Sequence, residues 1–495
     1  WASNYMYGAA TSLAWSNYSD RHANINVTNN TMNEGYNFSC IRGYNENFRA
    51  KKFNLKNNIA NKVGGSTVAA YGVAFYYVDS LDYSNNQINQ DSAHSATYYK
   101  NYMYYLSGKV DVKNNNFALR MGTSTARTTY IFYNYLYSSS NIDPSPTNVS
   151  YIGNNFDFGP TSSLVTPTTA NTIYGFYYGY PYIYNTTTST SMPGTLTIDS
   201  NTWINDTIQG SGSFYPVYMY APGTNPGFKF YFRNNRMDNV VRTGFGGTTY
   251  LLYNYGYNDT IEIANNIWNN YRYDNTTSTA ATTTAAIYGI YQYNSLATAK
   301  VFIHDNVISN IGIKIPTTGG CTLYGAYCGS TAINWNFYNN KIHNLYINST
   351  STGGGNLYGL YIGGATTNAQ IFNNVIDSLK VSNNGTAAYA SNVGGLQHAS
   401  TGDWTVYNNY IGEISNPNTN SGNLASAVTG LWALSTSTSN FYNNTIRLGN
   451  DATLTSTGTS FGGSGIIVST GTSNIINNIV NIKGTPSSTG YFSCL

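Results

Sequence analysis

Along the chain, apolar and polar side chains alternate in short runs that break at recurring intervals. In Trp335-Asn336-Phe337-Tyr338-Asn339 and Ile261-Glu262-Ile263-Ala264-Asn265 the apolar residues lie two apart, the period of a half-buried strand. After Asn339 the spacing changes to three, at Ile342 and Leu345, so the strand parity is broken and a turn is expected at the Asn pair. No stretch keeps a 3.6-residue apolar period, and Glu, a strong helix former, occurs only at positions 34, 46, 262 and 413. Strands and turns are predicted throughout.

The break recurs. An Asn-Asn dipeptide or near equivalent starts at 29, 57, 85, 114, 154, 200, 234, 265, 305, 339, 373, 408, 443 and 477. The mean step is (477 − 29)/13, about 34 residues, and the step is nearly constant from 305 onward. Its second member is Asn in every copy: Asn30, Asn58, Asn86, Asn115, Asn155, Asn201, Asn235, Asn266, Asn306, Asn340, Asn374, Asn409, Asn444 and Asn478. The first member is Asn except at Ser200 and Asp305. Two residues before it the side chain is always apolar or aromatic, and three residues after it is apolar except at Asp157. Asn tolerates left-handed backbone angles, and its amide can bond to its equivalent one coil away, so an Asn ladder is expected.

A second segment precedes the dipeptide by 13 to 17 residues, or 26 at Tyr174, with Tyr-Gly at 71, 174, 288, 324 and 358 and Gly394-Gly395, Thr429-Gly430 and Ser464-Gly465 later. The stretch after the dipeptide, such as Ile342-His343-Asn344-Leu345, supplies a third. Gly, Ser, Thr and Asn tracts such as 351–356 form the loops between them. Three short strands per period describe an all-β, right-handed parallel β-helix of about fourteen coils, ~65 Å long at ~4.8 Å per coil. One domain is expected over 1–495, with 1–28 a cap or preceding coil and 29–114 tight coils. Long insertions are expected over 115–264 and regular 34–35-residue coils over 265–495. Asp143-Pro144-Ser145-Pro146 and the aromatic run from Tyr174 to Tyr184 are assigned to the insertions.

Composition agrees with a repeat protein. Charged residues make up 9%, against roughly 25% in ordinary domains, while hydrophobic residues at 41% and aromatics at 15% exclude a disordered chain. A formal charge of +3 is too balanced for a nucleic-acid binder, so the basic group Arg42, Arg49, Lys51, Lys52, Lys56 and Lys62 is read as a solvated face. No apolar run is long enough to span a membrane as a helix. Cys321 and Cys328, seven apart on one predicted strand, are too distant to bond each other. The start at Trp1, without Met or a signal region, is expected of a processed or excised segment.

Copies such as Phe337-Tyr338-Asn339-Asn340-Lys341-Ile342-His343-Asn344-Leu345 and Phe441-Tyr442-Asn443-Asn444-Thr445-Ile446 resemble the parallel β-helix repeats of surface proteins and polysaccharide lyases. The Tyr-Gly strand, Asn-Asn-x-Ile turn and Thr/Ser/Gly loops resemble the large proteins exported by type IX secretion in Gram-negative bacteria. That resemblance implies a secreted, extracellular or cell-surface structural or adhesive protein. Its partners would be copies of itself, meeting end to end or laterally in a filament, or other surface proteins or glycans. The Asp-Ser/Thr-apolar pattern resembles a bacterial O-glycosylation sequon and nominates Ser80, Ser92, Thr207, Thr260 and Ser378.

Catalytic candidates are few. β-Helix lyases and hydrolases need clustered carboxylates, whereas the 20 acidic residues here are spread thinly. Asp305, beside His304, is the only acidic residue at a ladder position and reads as an Asn substitute accepting turn hydrogen bonds. The His residues at 22, 94, 304, 343 and 398 are scattered; only His304 and His343 are candidates for neighbours in adjacent coils. No catalytic residue, metal or cofactor is therefore assigned, and the expectation is a non-enzyme. Tyr288, Tyr324 and Tyr358 should stack up one face as an aromatic contact surface or as simple reinforcement. A glycan-binding module, or a lyase or glycoside hydrolase on the same fold, is the alternative reading.

Overall fold

A computed structural model of the chain describes residues 5–7, 14–16, 24–35, 39–42, 50–63, 71–92, 98–121, 127–135, 147–158, 170–179, 184–185, 190–191, 194–244, 247–274, 284–293, 297–315, 320–329, 334–349, 355–364, 368–383, 392–399, 401–416, 428–434, 437–449, 454–456, 461–486 and 491–493. The described residues are strands and tight turns, with no helix among them. They divide into two compact units, Trp1–Val240 with Asn254–Glu262 and Val241–Tyr253 with Ile263–Leu495, each described by itself.

Each coil contributes three strands that pair in parallel with their equivalents one coil on, the arrangement of a parallel β-helix. In the second unit Cys321–Cys328, Asn334–Tyr338 and Lys341–Ser349 form one coil, and Gly355–Ile362, Asn368–Phe372 and Val375–Asn383 the next. Their register matches Tyr324 to Tyr358, Phe337 to Ile371 and Ile342 to Ile376, in step with the sequence repeat. In the first unit two of the three segments merge at Phe214–Arg233. This 20-residue strand pairs with Asn171–Gly179 at one end and Gly194–Asp199 at the other.

Strand alternation fixes the core. In Asn334–Tyr338 Trp335 and Phe337 are buried while Asn336 and Tyr338 are half-exposed. The position two before the turn is filled by Leu55, Tyr83, Val112, Tyr151, Ile198 and Phe232 in the first unit, all buried and each facing the next. In the second unit Ile303, Phe337, Ile371, Val406 and Phe441 do the same. Burying each such side chain stabilises by about 1.5–3 kcal/mol.

The turn after this strand is left-handed at one residue. Asn29, Asn57, Asn85, Asn114, Ser200 and Asn234 in the first unit, and Asn265, Asp305, Asn339, Asn373, Asn408, Asn443 and Asn477 in the second, have φ between 52° and 58°. The following Asn turns inward. In the first unit the ladder runs Asn30, Asn58, Asn86, Asn115, Asn154, Asn201, Asn235; in the second, Asn266, Asn306, Asn340, Asn374, Asn409, Asn444, Asn478. Within each ladder the side-chain carbonyl of one member accepts from both the backbone N–H and the side-chain amide of the member before it, at 2.9–3.1 Å.

Three expectations are corrected here. The ladder member in the fifth coil is Asn154, not Asn155: Gly153 takes the left-handed position with φ 65°, Asn154 is buried, and Asn155 donates outside the ladder to Asn116. Glycine outcompetes Asn for left-handed backbone, and it shifts the turn back by one residue. Phe156 then fills the core position that had fallen to Asp157, so the apparent exception disappears. The ladder step is 40 residues from Asn266 to Asn306, so the regular 34–35-residue spacing begins at Asn306 rather than at 265. Finally, Tyr174, Phe176, Tyr177 and Tyr178 lie in a coil strand, Asn171–Gly179, rather than in an insertion. Tyr184 belongs to a two-residue antiparallel pairing with Ser191, and Tyr180, Tyr182 and 143–146 lie outside the described residues.

Candidate aromatic face

The tyrosine positions are set by a skip in the strand alternation, which falls on a glycine in three successive coils of the second unit. In Ala285–Tyr293, Ile287 and Ile290 point inward and Tyr288 and Tyr291 outward, so the alternation skips one residue at Gly289. A Cβ on Gly289 would stand 2.3 Å from the Gly325 carbonyl oxygen; on Gly325, 2.6 Å from that of Gly359; and on Gly359, 2.7 Å from that of Gly395. Such approaches are closed to any side chain. The same skip occurs at Lys100, Ile131, Gly175, Pro216 and Leu251, so it belongs to the coil rather than to glycine alone, and it brings two tyrosines, three residues apart, onto one outer face.

Two columns result in each unit. In the second, Tyr250, Tyr288, Tyr324 and Tyr358 stack at 4.6, 5.2 and 5.5 Å between ring centroids. Beside them Tyr253, Tyr291, Tyr327 and Tyr361 stack at 4.9, 4.8 and 5.3 Å, with interplanar angles of 2°, 2° and 8°. In the first unit Tyr99, Tyr130, Tyr174 and Tyr215 stand beside Tyr102, Tyr133, Tyr177 and Tyr218 in the same way. Rings of neighbouring columns meet edge to face, as at Tyr288 and Tyr291 with 90° between planes. Centroids nearly 5 Å apart exceed the ~3.5–4 Å contact thickness of carbon, so the stacks are offset. Each ring therefore covers much of its neighbour's face and turns its edge outward.

Burial raises the phenol pKa of Tyr288, Tyr291, Tyr324, Tyr327, Tyr358 and Tyr361, and neighbouring phenols add to the rise at Tyr291, Tyr324 and Tyr327. These hydroxyls stay neutral across the physiological range. The predicted trio Tyr288, Tyr324 and Tyr358 is brought together as one column, although Tyr358 is only 6% exposed. The companion column was missed, though its signal was present: Tyr-Gly-x-Tyr stands at 174, 288, 324 and 358.

A second left-handed column also escaped sequence reasoning. Five residues after the first lie Asn205 and Asn239 in one unit and Asn270, Asn310, Asn344, Ser378 and Glu413 in the other, with φ of 51–59°. Asn344 donates to Asn310 at 2.6 Å, and the Ser378 hydroxyl donates to Glu413 at 3.1 Å. Candidate Ser378 thus occupies a turn position otherwise held by Asn. The other nominated hydroxyls are dispersed: Ser80 and Thr260 are half-exposed on separate strands, and Thr207 is half-exposed beside buried Asp206. The Ser92 side chain lies outside the described residues.

The polar candidates do not converge. Asp305 bonds His304 Nδ1 at 2.7 Å, and the His304 ring stacks on Tyr338. His343 instead bonds Asp377 on a different strand column, so His304 and His343 are not register partners. Among the described residues no three His, Cys, Asp or Glu side chains gather as a metal site. Cys321 and Cys328 are buried at opposite ends of one strand. His398 is buried against Trp404 at 4.5 Å, and burial pushes its pKa down to about 4. No helix among the described residues is long and apolar enough to cross a membrane. Comparisons with protein-family models, curated proteins and solved structures each gave no match.

Proposed function

We propose that this chain is an extracellular or cell-surface structural and adhesive protein whose coils act as a scaffold and whose tyrosine columns act as the contact face. The observation that carries this reading is the paired columns, which set eight phenols, all but the buried Tyr358 half-buried, on one face of the second unit and eight half-buried phenols on one face of the first. Rigid aromatic rings lose little conformational entropy on binding, and their hydroxyl edges can bond polar groups while the ring bodies exclude water. Stacking on the column rather than on a partner covers much of each face, which favours protein or material surfaces over sugar rings laid flat. Export by a type IX route and assembly into filaments belong to the same proposal.

The test compares the protein with a variant carrying Tyr288→Ser, Tyr291→Ser, Tyr324→Ser and Tyr327→Ser in adhesion of coated beads to protein-coated, polysaccharide-coated and bare surfaces. At least tenfold weaker adhesion to protein-coated surfaces is expected, with the coil fold retained by circular dichroism. Unchanged adhesion would reject the contact face. Depolymerisation of a polysaccharide that disappears with Asp305→Ala would instead make the protein an enzyme.

A further inference from the structure

We infer that the tyrosine columns are sites of oxidative cross-linking, in which hydrogen peroxide and a haem peroxidase join phenols of successive coils by carbon–carbon bonds. Coupling of two tyrosines requires two phenoxyl radicals side by side, a rare event when tyrosines are scattered. Here Tyr291 has Tyr253 at 4.9 Å and Tyr327 at 4.8 Å, both within 2° of parallel. The offset stack lays the edge of one ring, which includes carbons ortho to the hydroxyl, against the next. Tyr291, Tyr327 and Tyr361 are half-exposed, so an oxidant in solution reaches them.

The step balances. Each of two phenols loses one electron and one proton, the two radicals couple at ortho carbons, and the hydrogens on those carbons move to the oxygens as the rings regain aromaticity. The two electrons and two protons reduce one hydrogen peroxide to two waters. Each bond would close a loop between coils, as a disulfide does, and raise resistance to unfolding. This inference does not rest on adhesion, because it concerns the purified chain and its oxidant.

The structure contains its own control. Tyr338 lies in a column between His304 at 4.7 Å and Phe372 at 4.9 Å, so neither stacking neighbour is a phenol. The experiment treats dilute full-length protein with a haem peroxidase and hydrogen peroxide, then maps cross-linked peptides in the monomer fraction by mass spectrometry. Links of Tyr291 to Tyr327 and Tyr327 to Tyr361 are expected, with none at Tyr338 and a raised thermal midpoint. Tyr327→Phe, which keeps the ring, should abolish both links and leave Tyr288 to Tyr324 intact. Phe372→Tyr should add a link at Tyr338. An absence of dityrosine in the monomer, or links at Tyr338 in the unaltered protein as frequent as in the columns, overturns the inference.

Discussion

The side-chain carbonyl of Asn374 accepts two hydrogen bonds from Asn340, one from its backbone N–H at 2.9 Å and one from its side-chain amide at 3.1 Å. The Asn374 amide in turn donates to the carbonyls of Phe337 and Phe372 and to Asn409. Replacing Asn374 by Leu leaves buried donors on Asn340 and buried acceptors on two coils without partners, each costing about 1–3 kcal/mol. Asn374→Leu should therefore lower unfolding free energy by at least ~3 kcal/mol in chemical denaturation. A loss under 1 kcal/mol would mean the ladder is not a stabilising network.

The shifted turn at Gly153 gives a sharper contrast. Asn154 is buried in the ladder, donating to Asn201 at 2.9 and 3.0 Å, whereas Asn155 is half-exposed, its amide donating to Asn116 and its carbonyl accepting from the Thr202 hydroxyl outside the ladder. Asn154→Ala should cost several times more stability than Asn155→Ala, which should stay within ~0.5 kcal/mol. Equal effects would return the ladder position to Asn155.

The glycine column predicts a difference between two nearby glycines. A methyl group on Gly359 would meet Ile376 Cγ2 at 2.3 Å and the Gly395 carbonyl at 2.7 Å, while one on Gly355 finds its nearest atom at an ordinary 3.5 Å. Gly359→Ala should lose about 1–3 kcal/mol or more, and Gly355→Ala should be nearly neutral by thermal denaturation.

His398 makes the protein acid-sensitive in a defined window. Its folded pKa, pushed down by burial to about 4, lies below the ordinary 6.5 of the unfolded chain. The unfolded state therefore binds more protons between those values, and stability falls as pH drops from about 6.5 to about 4, by up to ~3 kcal/mol. Denaturation midpoints measured across this range should fall less steeply in His398→Gln.

The phenols act at the opposite end. Burial raises the pKa of Tyr288, Tyr324 and Tyr327 in the folded state above the usual 10, so the stability they contribute is present below pH 10 and lost above it. Absorbance titration should show phenolate appearing late and together with loss of β-structure. Smooth titration at pH 10 without unfolding would show these rings to be freely solvated.

Much of this was written in the order of residues. Period-two alternation ending at a recurrent Asn determined the strands, the turn, the inward set Ile303, Phe337, Ile371, and the stacking of Tyr288 on Tyr324, because strand parity and left-handed Asn are local properties repeated at one interval. The tertiary structure alone decided which of Asn154 and Asn155 turns inward, since that depends on how Gly153 matches the coils on either side. It also decided that Ser378 and Glu413 take Asn-like turn positions, and that Tyr291 and Tyr327 form a second column beside the first, with the Tyr291 ring edge to face against Tyr288. The reason is physical: a repeat specifies the alternation within each coil, but side chains 34 or more residues apart meet only once parallel pairing has fixed the register between coils.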